Sequence, residues 1–556
     1  MGDSMEKELR PGNWPEWVPR SIEYPEEPLF RLLEGAAERH PDATAIIFQD
    51  RKLSYGQLND LADRFAAALQ GMGVEKGDRV ALFLPNIPQF VIGYYGALKA
   101  GATVTAVSPL YRERELEHQL VDSGSETLVV LDLLYPVAEK IRERTELQRI
   151  IVTGIKEYLP PVKRALGSLL GKVPSRRVGR GPGIHFFKEL IGAHPPRPTE
   201  MRIDPGEDLA LLQYTGGTTG TPKGAMLTHR NLVSNACMCD AWLRAEEARE
   251  VHVCVLPLYH IYGMTVTMNG AIVSAGAMIL IPRFDPAEVL GAIQRHRATV
   301  FCGVPTLYAL LVDRPDISKF DISSVKFCIS GASSLPPEVQ RRFMGLTEGT
   351  LVEGYGLTEA SPVTHANPLD PTLETVKIGS IGLTWPDTEA RIVDVERGEA
   401  DLPVGEVGEL AVRGPQVMRG YWNMPGETAD VLRDGWLYTG DIGRMDEDGY
   451  FYIVDRKKDL IKFRGYSVYP REVEDVIYEH PAVKLCAVVG EPDETSGEVP
   501  KAYVVLKEGA EATGEELMRF VGERVAPYKR IREVEFREEL PMTLVGKVLK
   551  RTLREG

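Results

Sequence analysis

Residues Tyr214–Gly224 read YTGGTTGTPKG and follow the apolar run Leu209-Ala210-Leu211-Leu212. A run of that kind forms a short buried strand, so the loop leaves a rigid sheet edge. Gly216, Gly217 and Gly220 permit positive φ angles and close approach of the backbone, so several N–H groups can converge on one anion. Thr215, Thr218 and Thr219 add hydroxyl donors, and Lys223 adds a charge. The composition suits a phosphate-holding loop. It is not the Walker A arrangement, because Pro222 precedes the lysine, Gly224 follows it, and no Gly-Lys-Ser/Thr opens a helix. Taken alone, the stretch also reads as a Gly/Thr-rich surface turn.

Upstream of the loop, helical periodicity in PLFRLLEGAAERH gives way to the strand ATAIIF. A helix in YGQLNDLADRFAAALQGMG and a strand in RVALFL follow, and the alternation continues through FVIGYYGALKAGATVTAVSP and TLVVLD. This is an α/β pattern with a largely parallel sheet and helices on its faces. Downstream, Thr228 is placed to cap a helix HRNLVSNACMCDAWL, and VHVCVLPLYHIYGM is a strand running into a Pro/Tyr/His turn. The βα alternation resumes in AEVLGAIQRHR, ATVFCGVP, SVKFCISGA and PPEVQRRFM. Short alternating segments from about 372 to 455 predict a β-rich subdomain, and residues 456–556 a small α+β module. The N-terminal arm, with Trp14 and Trp17, is expected to lie extended against the body.

The 556 residues suffice for several subdomains with their own cores, and the formal net charge of −15 offers no broad basic face to a nucleic acid. The six cysteines lack CxxC spacing and read as reduced core residues of a cytoplasmic protein. Met264–Ile281 is the most hydrophobic window, and its polar residues and glycines predict a buried helix and a core strand rather than a membrane span. The basic segment 156–183, with leucines spaced as on a short amphipathic helix, reads either as a solvated insertion or as a weak peripheral contact with an anionic membrane. Monomer and homodimer both remain open.

Further polar groups collect where strand patterns stop, the place where α/β sheets present ligands. In Glu353-Gly354-Tyr355-Gly356-Leu357-Thr358-Glu359 the glycines admit backbone contact, the tyrosine offers a flat ring, and the Thr358 hydroxyl with the Glu359 carboxylate suits magnesium. Tyr438-Thr439-Gly440-Asp441 sets an acid after a tight turn, where a carboxylate can accept from a ribose diol. Asp455–Gly465 concentrates five cations, which is either a solvated run or a hinge facing phosphate. Near the end, Lys547 follows Gly546.

In order and wording these stretches resemble the adenylate-forming superfamily of acyl-CoA synthetases, nonribosomal adenylation domains and firefly luciferase. YTGGTTGTPKG, EGYGLTE, YTGD, DRKKDLIKFRGY and the Gly546-Lys547 pair carry the resemblance over nearly the whole chain. LPLYHIYG, SPLYRERELEHQL, WPEWVP and LPPVKRALGSLL look most like long-chain fatty acid–CoA ligases, while GASSLP departs from the GAAPL-like form of related ligases. The fold implied is a large N-terminal domain, 1–455, of two parallel-sheet α/β subdomains plus a small β-barrel. A small mobile α+β domain, 456–556, follows, with its hinge at Lys458. The chemistry implied is activation of a fatty acid by ATP with Mg2+, then transfer of the acyl group to coenzyme A. A medium-chain or aryl acid ligase and an enzyme loading a carrier protein are the alternatives.

The resemblance also distributes roles. Thr215, Gly216, Gly217, Thr218, Thr219, Gly220 and Lys223 would hold phosphates. Gly331, Ala332 and Tyr355 would form the adenine slot, and Ser333, Glu353, Gly354 and Gly356 are also assigned to binding ATP or AMP. Thr358 and Glu359 are assigned to catalysis and magnesium, Asp441 and Arg456 to the ribose, and Lys462 to the nucleotide. Lys547 would bridge carboxylate and α-phosphate, and His260 would gate the site. Arg464 and Gly465 are assigned to coenzyme A. Tyr262, Gly263, Met264, Gly303, Val304 and Gly331 would line the acyl pocket.

Overall fold

The phosphate-loop strand Leu209–Thr215 lies inside an eight-stranded sheet. The computed structural model describes residues 14–169, 173–215, 222–396, 398, 400–464, 466–493, 495–542 and 548–554. In this sheet the strands Thr103–Ala106, Arg79–Phe83, Thr127–Leu131, Arg149–Thr153 and Ile184–Phe186 run parallel to one another. Leu209–Thr215 runs parallel to Thr103–Ala106 and pairs antiparallel with Lys223–Thr228, in register Thr215 to Lys223. Thr215 and Lys223, at the two ends of the glycine-rich stretch, are thus antiparallel partners at the end of a buried strand.

A second sheet places Val251–Cys254, Ala277–Leu280 and Thr44–Phe48 in parallel. Residue Val300 bridges its edge, through His252, to Phe327, and Phe327–Ser330 runs parallel to Thr350–Gly356. These two sheets are the α/β bodies the alternation predicts. The β-rich part is a five-stranded antiparallel sheet formed by Glu389–Val393, Gly408–Arg413, Leu432–Arg433, Trp436–Met445 and Phe451–Arg456. Where a barrel is expected, no ladder among the described residues joins the two outer strands. Beyond it, Ile461–Phe463, Tyr466–Val468, Val483–Asp493, Gly497–Leu506 and Glu533–Phe536 form a last sheet, against which helices Pro470–Tyr478 and Gly514–Gly522 bury Val473, Ile477, Leu517 and Val521.

Local signals in the sequence account for the helices nearest the site. Thr228 accepts from the Asn231 amide at 3.2 Å while Asn231 Oδ1 accepts from the Thr228 amide at 2.9 Å, a reciprocal cap that starts the helix His229–Leu243. The apolar window 264–281 is a buried π-helical segment, Gly263–Asn269, a helical turn Gly270–Val273 and the core strand Ala277–Leu280. Among the described residues no helix is long and apolar enough to cross a membrane. All six cysteines are free and five are buried. The N-terminal arm packs Trp14 edge-on against Trp242, with ring centroids 5.9 Å apart, and Trp242 stacks on Trp385.

His252, in the strand Val251–Cys254, is 1% exposed and neither ring nitrogen has a hydrogen-bond partner. Burial pushes its pKa down to about 4. A folded-state value below the unfolded one means that the unfolded chain binds more protons between the two, so stability falls as pH drops from about 6.5 toward 4. His252→Leu removes both the unpaired polar atoms and this penalty. The variant is expected to be more stable than the parent by about 1 kcal/mol at pH 7, with the gap widening by up to about 1.4 kcal/mol per pH unit below 6.5. Urea denaturation at pH 7, 6 and 5 measures it.

Candidate functional site

The loops that leave the strand ends meet because buried side-chain amides hold their backbones. Asn86, 2% exposed, donates to the carbonyls of Cys254 at 2.9 Å and Leu256 at 2.8 Å and accepts from the Leu258 amide at 2.8 Å. Gln213, one residue before Tyr214, donates to the Tyr259 carbonyl at 3.1 Å. Together they fix the turn that ends in His260. From the helix His229–Leu243, Asn231 donates to the carbonyls of Pro415 and Val417, and Asn235 pairs with both backbone groups of Val363. The Met418 amide in turn donates to the Glu359 carbonyl at 2.7 Å. One helix thus sets the positions of Glu359 and of the loop beside it.

Lys223, the first residue of its strand, ion-pairs with Glu427 and lies 5.1 Å from the centroid of the Tyr421 ring. Tyr421 donates to Glu359 Oε1 at 2.7 Å, and Thr358 opens the short helical turn that carries this glutamate. Lys223 and Glu359 are therefore joined through Tyr421. Of the loop itself Thr215 is described, with its hydroxyl 3.5 Å from the Lys223 carbonyl, whereas Gly216, Gly217, Thr218, Thr219 and Gly220 lie outside the described residues.

A second cluster forms where Thr350–Gly356 meets the β-rich sheet. Tyr355 donates to Asp441 Oδ2 at 2.6 Å, and Arg456 Nε lies 3.1 Å from Asp441 Oδ1. Asp441 and Arg456 face each other across the antiparallel pair Trp436–Met445 and Phe451–Arg456. Burial, reinforced by the Asp441 charge, drives the Tyr355 phenol well above its ordinary range, so it stays a donor. Burial opposes the charge on Arg456, but the carboxylates of Asp441, Asp459 and Glu359 outweigh it and raise its pKa.

The floor beside this cluster is the loop after Phe327–Ser330. The Gly331 amide donates to the Gly303 carbonyl at 3.1 Å, Ala332 has φ +68°, and Ala332 and Ser333 are exposed. Glu353 Oε2 accepts the Leu335 amide at 3.0 Å and so pins the far end of this loop. Its pKa is pushed up to about 7, by burial first, with Arg471 of the C-terminal module and the Leu335 amide working the other way. Gly354 and Gly356 sit too close to neighbours for a side chain: a Cβ would lie 2.7 Å from Ile329 Cγ2 and 2.1 Å from the Pro362 carbonyl oxygen respectively.

His260 follows Tyr259 in the turn that Gln213 holds. Its Nδ1 accepts from the Tyr262 amide at 3.3 Å, and burial lowers its pKa to about 4, so the imidazole is neutral near pH 7. Tyr262 donates to the Ile329 carbonyl at 2.9 Å, and its ring covers Gly331, where a Cβ would come within 3.0 Å. Gly263 is pressed against the Pro257 carbonyl, where a Cβ would lie 2.3 Å away, and Met264 and Val304 are buried beside it. The π-helical turn starting at Gly263 shifts the backbone hydrogen bonding by one residue here, a feature that recurs at functional sites. Of the expected acyl-pocket residues, Tyr262 and Val304 share one apolar cluster beside Gly303 and Gly331, whereas Met264 packs into another.

The C-terminal residues are placed less centrally. Lys458 follows Arg456 in a short 3-10 turn, where partial burial and the neighbouring Arg456 charge pull its pKa to about 8. Lys462 is on the exposed side of the hairpin Ile461–Val468, and its amide donates to Glu498. Arg464 has φ +49° and donates from Nε to Ser496 at 3.1 Å. Gly465 and Lys547 lie outside the described residues. Two cavities of about 340 and 380 Å³ are lined by none of the expected residues. Asn86, Gln213, Asn231, Asn235, Tyr421 and Glu427 are absent from the sequence-based site, since each acts through partners distant in the chain.

The AMP-binding enzyme model matches residues 33–422, and the AMP-binding enzyme C-terminal domain matches 472–547. The chain belongs to the AMP-binding enzyme family. It is 48% identical over 548 residues to a long-chain-fatty-acid–CoA ligase of Bacillus subtilis, covering 98% of this chain and 97% of that one. A long-chain-fatty-acid–CoA ligase of Salmonella typhimurium is 40% identical, over 95% of this chain and 94% of that one. Among solved structures, ATP-bound MatB from Rhodopseudomonas palustris superposes with a TM-score of 0.83 at 31% identity, covering 95% of this chain and 98% of that one.

Removing the Asn86 side chain leaves two buried carbonyls and one buried N–H unpaired. Asn86→Ala is expected to cost about 3 kcal/mol of stability and to lower activity by misplacing His260. Denaturant unfolding and steady-state kinetics on the same preparation check it.

Proposed function

We propose that this protein is an AMP-forming long-chain fatty acid–CoA ligase that uses one site for two half-reactions. The observation that carries the reading is the convergence of Lys223, Tyr421 and Glu359 with Tyr355, Asp441 and Arg456 at the strand ends. The two relatives named above support the acyl chain length.

In the first half-reaction a carboxylate oxygen of the acid attacks the α-phosphorus of ATP, and the bond to the bridging oxygen breaks to release pyrophosphate. Both reactants are anions, so the protein's task is neutralisation and alignment. Thr215 to Gly220 and Lys223 hold the phosphates. Asp441 is already oriented by Tyr355 and Arg456 and keeps acceptor capacity for the ribose hydroxyls. Gly331 to Ser333 and Gly354 to Gly356 flank the adenine, and Glu353 holds the wall by its bond to Leu335. Lys547 bridges the two reacting anions, and its loss costs about 3 kcal/mol or more of transition-state stabilisation. Lys462 meets the nucleotide once the C-terminal module, residues 456–556, turns about Lys458.

The residues fit a magnesium ion of the kind that keeps most of its water. Glu359 supplies one carboxylate beside the Thr358 hydroxyl, and among the described residues no group of three or more acidic, His or Cys side chains forms a protein-only cage. Bound there with the triphosphate, the ion neutralises phosphate charge. In the second half-reaction the thiol sulfur of coenzyme A attacks the acyl carbonyl, the bond to the AMP oxygen breaks, and the thiol proton passes to solvent. His260, with a pKa of about 4, is a poor base for a thiol, so its contribution is to shape and close the passage. Arg464 and Gly465 line the thiol's approach.

A peripheral membrane contact of segment 156–183 has one specific support. Lys163, on the helix Pro161–Leu169, pairs with Asp50, which also meets Arg295 and His296, and Val162 beside it is 69% exposed. Basic groups next to exposed apolar surface suit an anionic bilayer. The protein is expected to co-sediment with vesicles containing anionic lipid at low salt and to leave them at high salt; binding equal to neutral vesicles removes this contact.

The test of the main reading is pyrophosphate release followed by thioester formation across acetate, octanoate, palmitate and cinnamate. The expected maximum is at palmitate with free coenzyme A. Activity confined to cinnamate or acetate makes this a different acid ligase, and pyrophosphate release without thioester points to a carrier protein.

A further inference from the structure

The stretch SPLYRERELEHQL, residues 108–120, runs into the helix Glu113–Ser123, which carries none of the reacting groups. Its inner side is fixed to the sheet. Leu116 and Leu120 are buried, and Gln119 donates to the Thr105 hydroxyl at 2.9 Å and the Ala106 carbonyl at 3.0 Å. Both acceptors belong to the strand Thr103–Ala106, the parallel neighbour of Leu209–Thr215. His118 and Asp122 are four residues apart and so share one side of the helix. From there they reach both ends of the glycine-rich stretch. Asp122 Oδ2 accepts from the Tyr214 hydroxyl at 2.5 Å, and His118 Nε2 lies 3.4 Å from the Pro222 carbonyl oxygen. The Asp122 carbonyl accepts from the Trp422 indole at 3.0 Å, and the Trp422 amide donates to the Gly224 carbonyl at 2.8 Å. Tyr214 and Gly224 are partners across the ladder, and a Cβ on Gly224 would lie 3.2 Å from the Tyr214 ring and 3.5 Å from Trp422 Cβ. Burial first, then Asp122, drives the Tyr214 phenol above its ordinary range, so it stays the donor. Asp122 has no cationic partner among the described residues, which leaves its carboxylate to Tyr214. A hydroxyl donating to a carboxylate at this distance is among the stronger hydrogen bonds.

We propose that this helix is the seat of the phosphate-holding segment, with Asp122 and His118 as positioning residues that set the spacing of Thr215 and Lys223. The inference rests on the reading of Thr215 to Gly220 and Lys223 as the holders of the phosphates that leave as pyrophosphate. Tyr214 precedes Thr215, and Pro222 and Gly224 flank Lys223, so each contact acts one residue away from a phosphate donor. Trp422 follows Tyr421, whose ring meets Lys223, so the indole contact refers the lysine to the same helix. Glycine loses more backbone freedom on ordering than any other residue. A segment containing Gly216, Gly217 and Gly220 therefore gains affinity for the triphosphate when its two ends are held in advance.

The experiment uses the full chain and measures KM for ATP, for palmitate and, in acid-dependent ATP–pyrophosphate exchange, for pyrophosphate. Transfer from synthetic palmitoyl adenylate to coenzyme A is followed alongside. Asp122→Ala and Tyr214→Phe each remove the same hydrogen bond. Either is expected to raise KM for ATP and for pyrophosphate about tenfold, with KM for palmitate and the transfer rate within about twofold of the parent. Because both act through one bond, the double variant is expected to be no worse than the poorer single one. Asp122→Asn keeps an accepting oxygen and is expected to bring KM for ATP back to within about threefold of the parent. His118→Ala loses a longer contact and is expected to shift KM for ATP by about twofold. Unchanged KM for ATP in both Asp122→Ala and Tyr214→Phe overturns the positioning role while leaving the ligase reading intact. An equal rise in KM for palmitate, or an equal fall in transfer, does the same, because the contacts would then support the whole site rather than the phosphate segment. A parent without acid-dependent exchange overturns both.

Discussion

Buried backbone has to be hydrogen-bonded, and that requirement decides where this site can be. The segments carrying Leu258, Tyr259, Pro415 and Val417 lie outside regular structure and leave backbone groups over, as does Val363 where its strand begins. Asn86, Gln213, Asn231 and Asn235 supply what is missing, and each is long enough to reach one neighbouring loop. Because an unpaired buried group costs roughly 1–3 kcal/mol, each loop has one favourable position. The turn before His260 and the Glu359 segment are thereby referred to a common frame, the strand Leu209–Thr215 and the helix His229–Leu243.

Electrostatics then acts within that frame. Asp441 is held by a tyrosine and an arginine, and Glu359 by a tyrosine, so both carboxylates are oriented before any ligand arrives. Preorganised groups need not be rearranged as charge moves, which is where polar sites gain most over water. His260 follows the opposite logic. Burial lowers its pKa to about 4, so the imidazole is neutral near pH 7.

The sequence makes the alternation, the Thr228 cap and the hairpin legible, because each depends on residues within a few positions of one another. The Asp441–Arg456 partnership is suggested by two separate motifs, and the structure supplies the reason they meet, a register across adjacent strands. Asn86 and Asn235 could not be read in this way. Their partners lie 128 to 172 residues away, and an asparagine in a core-forming stretch has no local signature of its role. The π-helical turn is similarly hidden, since it is a shift of backbone bonding within an ordinary apolar run. The β-rich part reads as short strands because the alternation within each is local.

The central claim is that one frame serves two separable half-reactions, with Lys547 needed in the first and the hairpin at Arg464 in the second. The most direct measurement supplies synthetic palmitoyl adenylate and coenzyme A to the Lys547→Ala variant and follows palmitoyl-CoA in a single turnover. The account predicts a transfer rate close to the parent's, although the same variant makes adenylate from ATP and palmitate about a hundredfold more slowly or worse. Equal loss of both steps would contradict it, because Lys547 would then act on the whole site rather than on the first reaction.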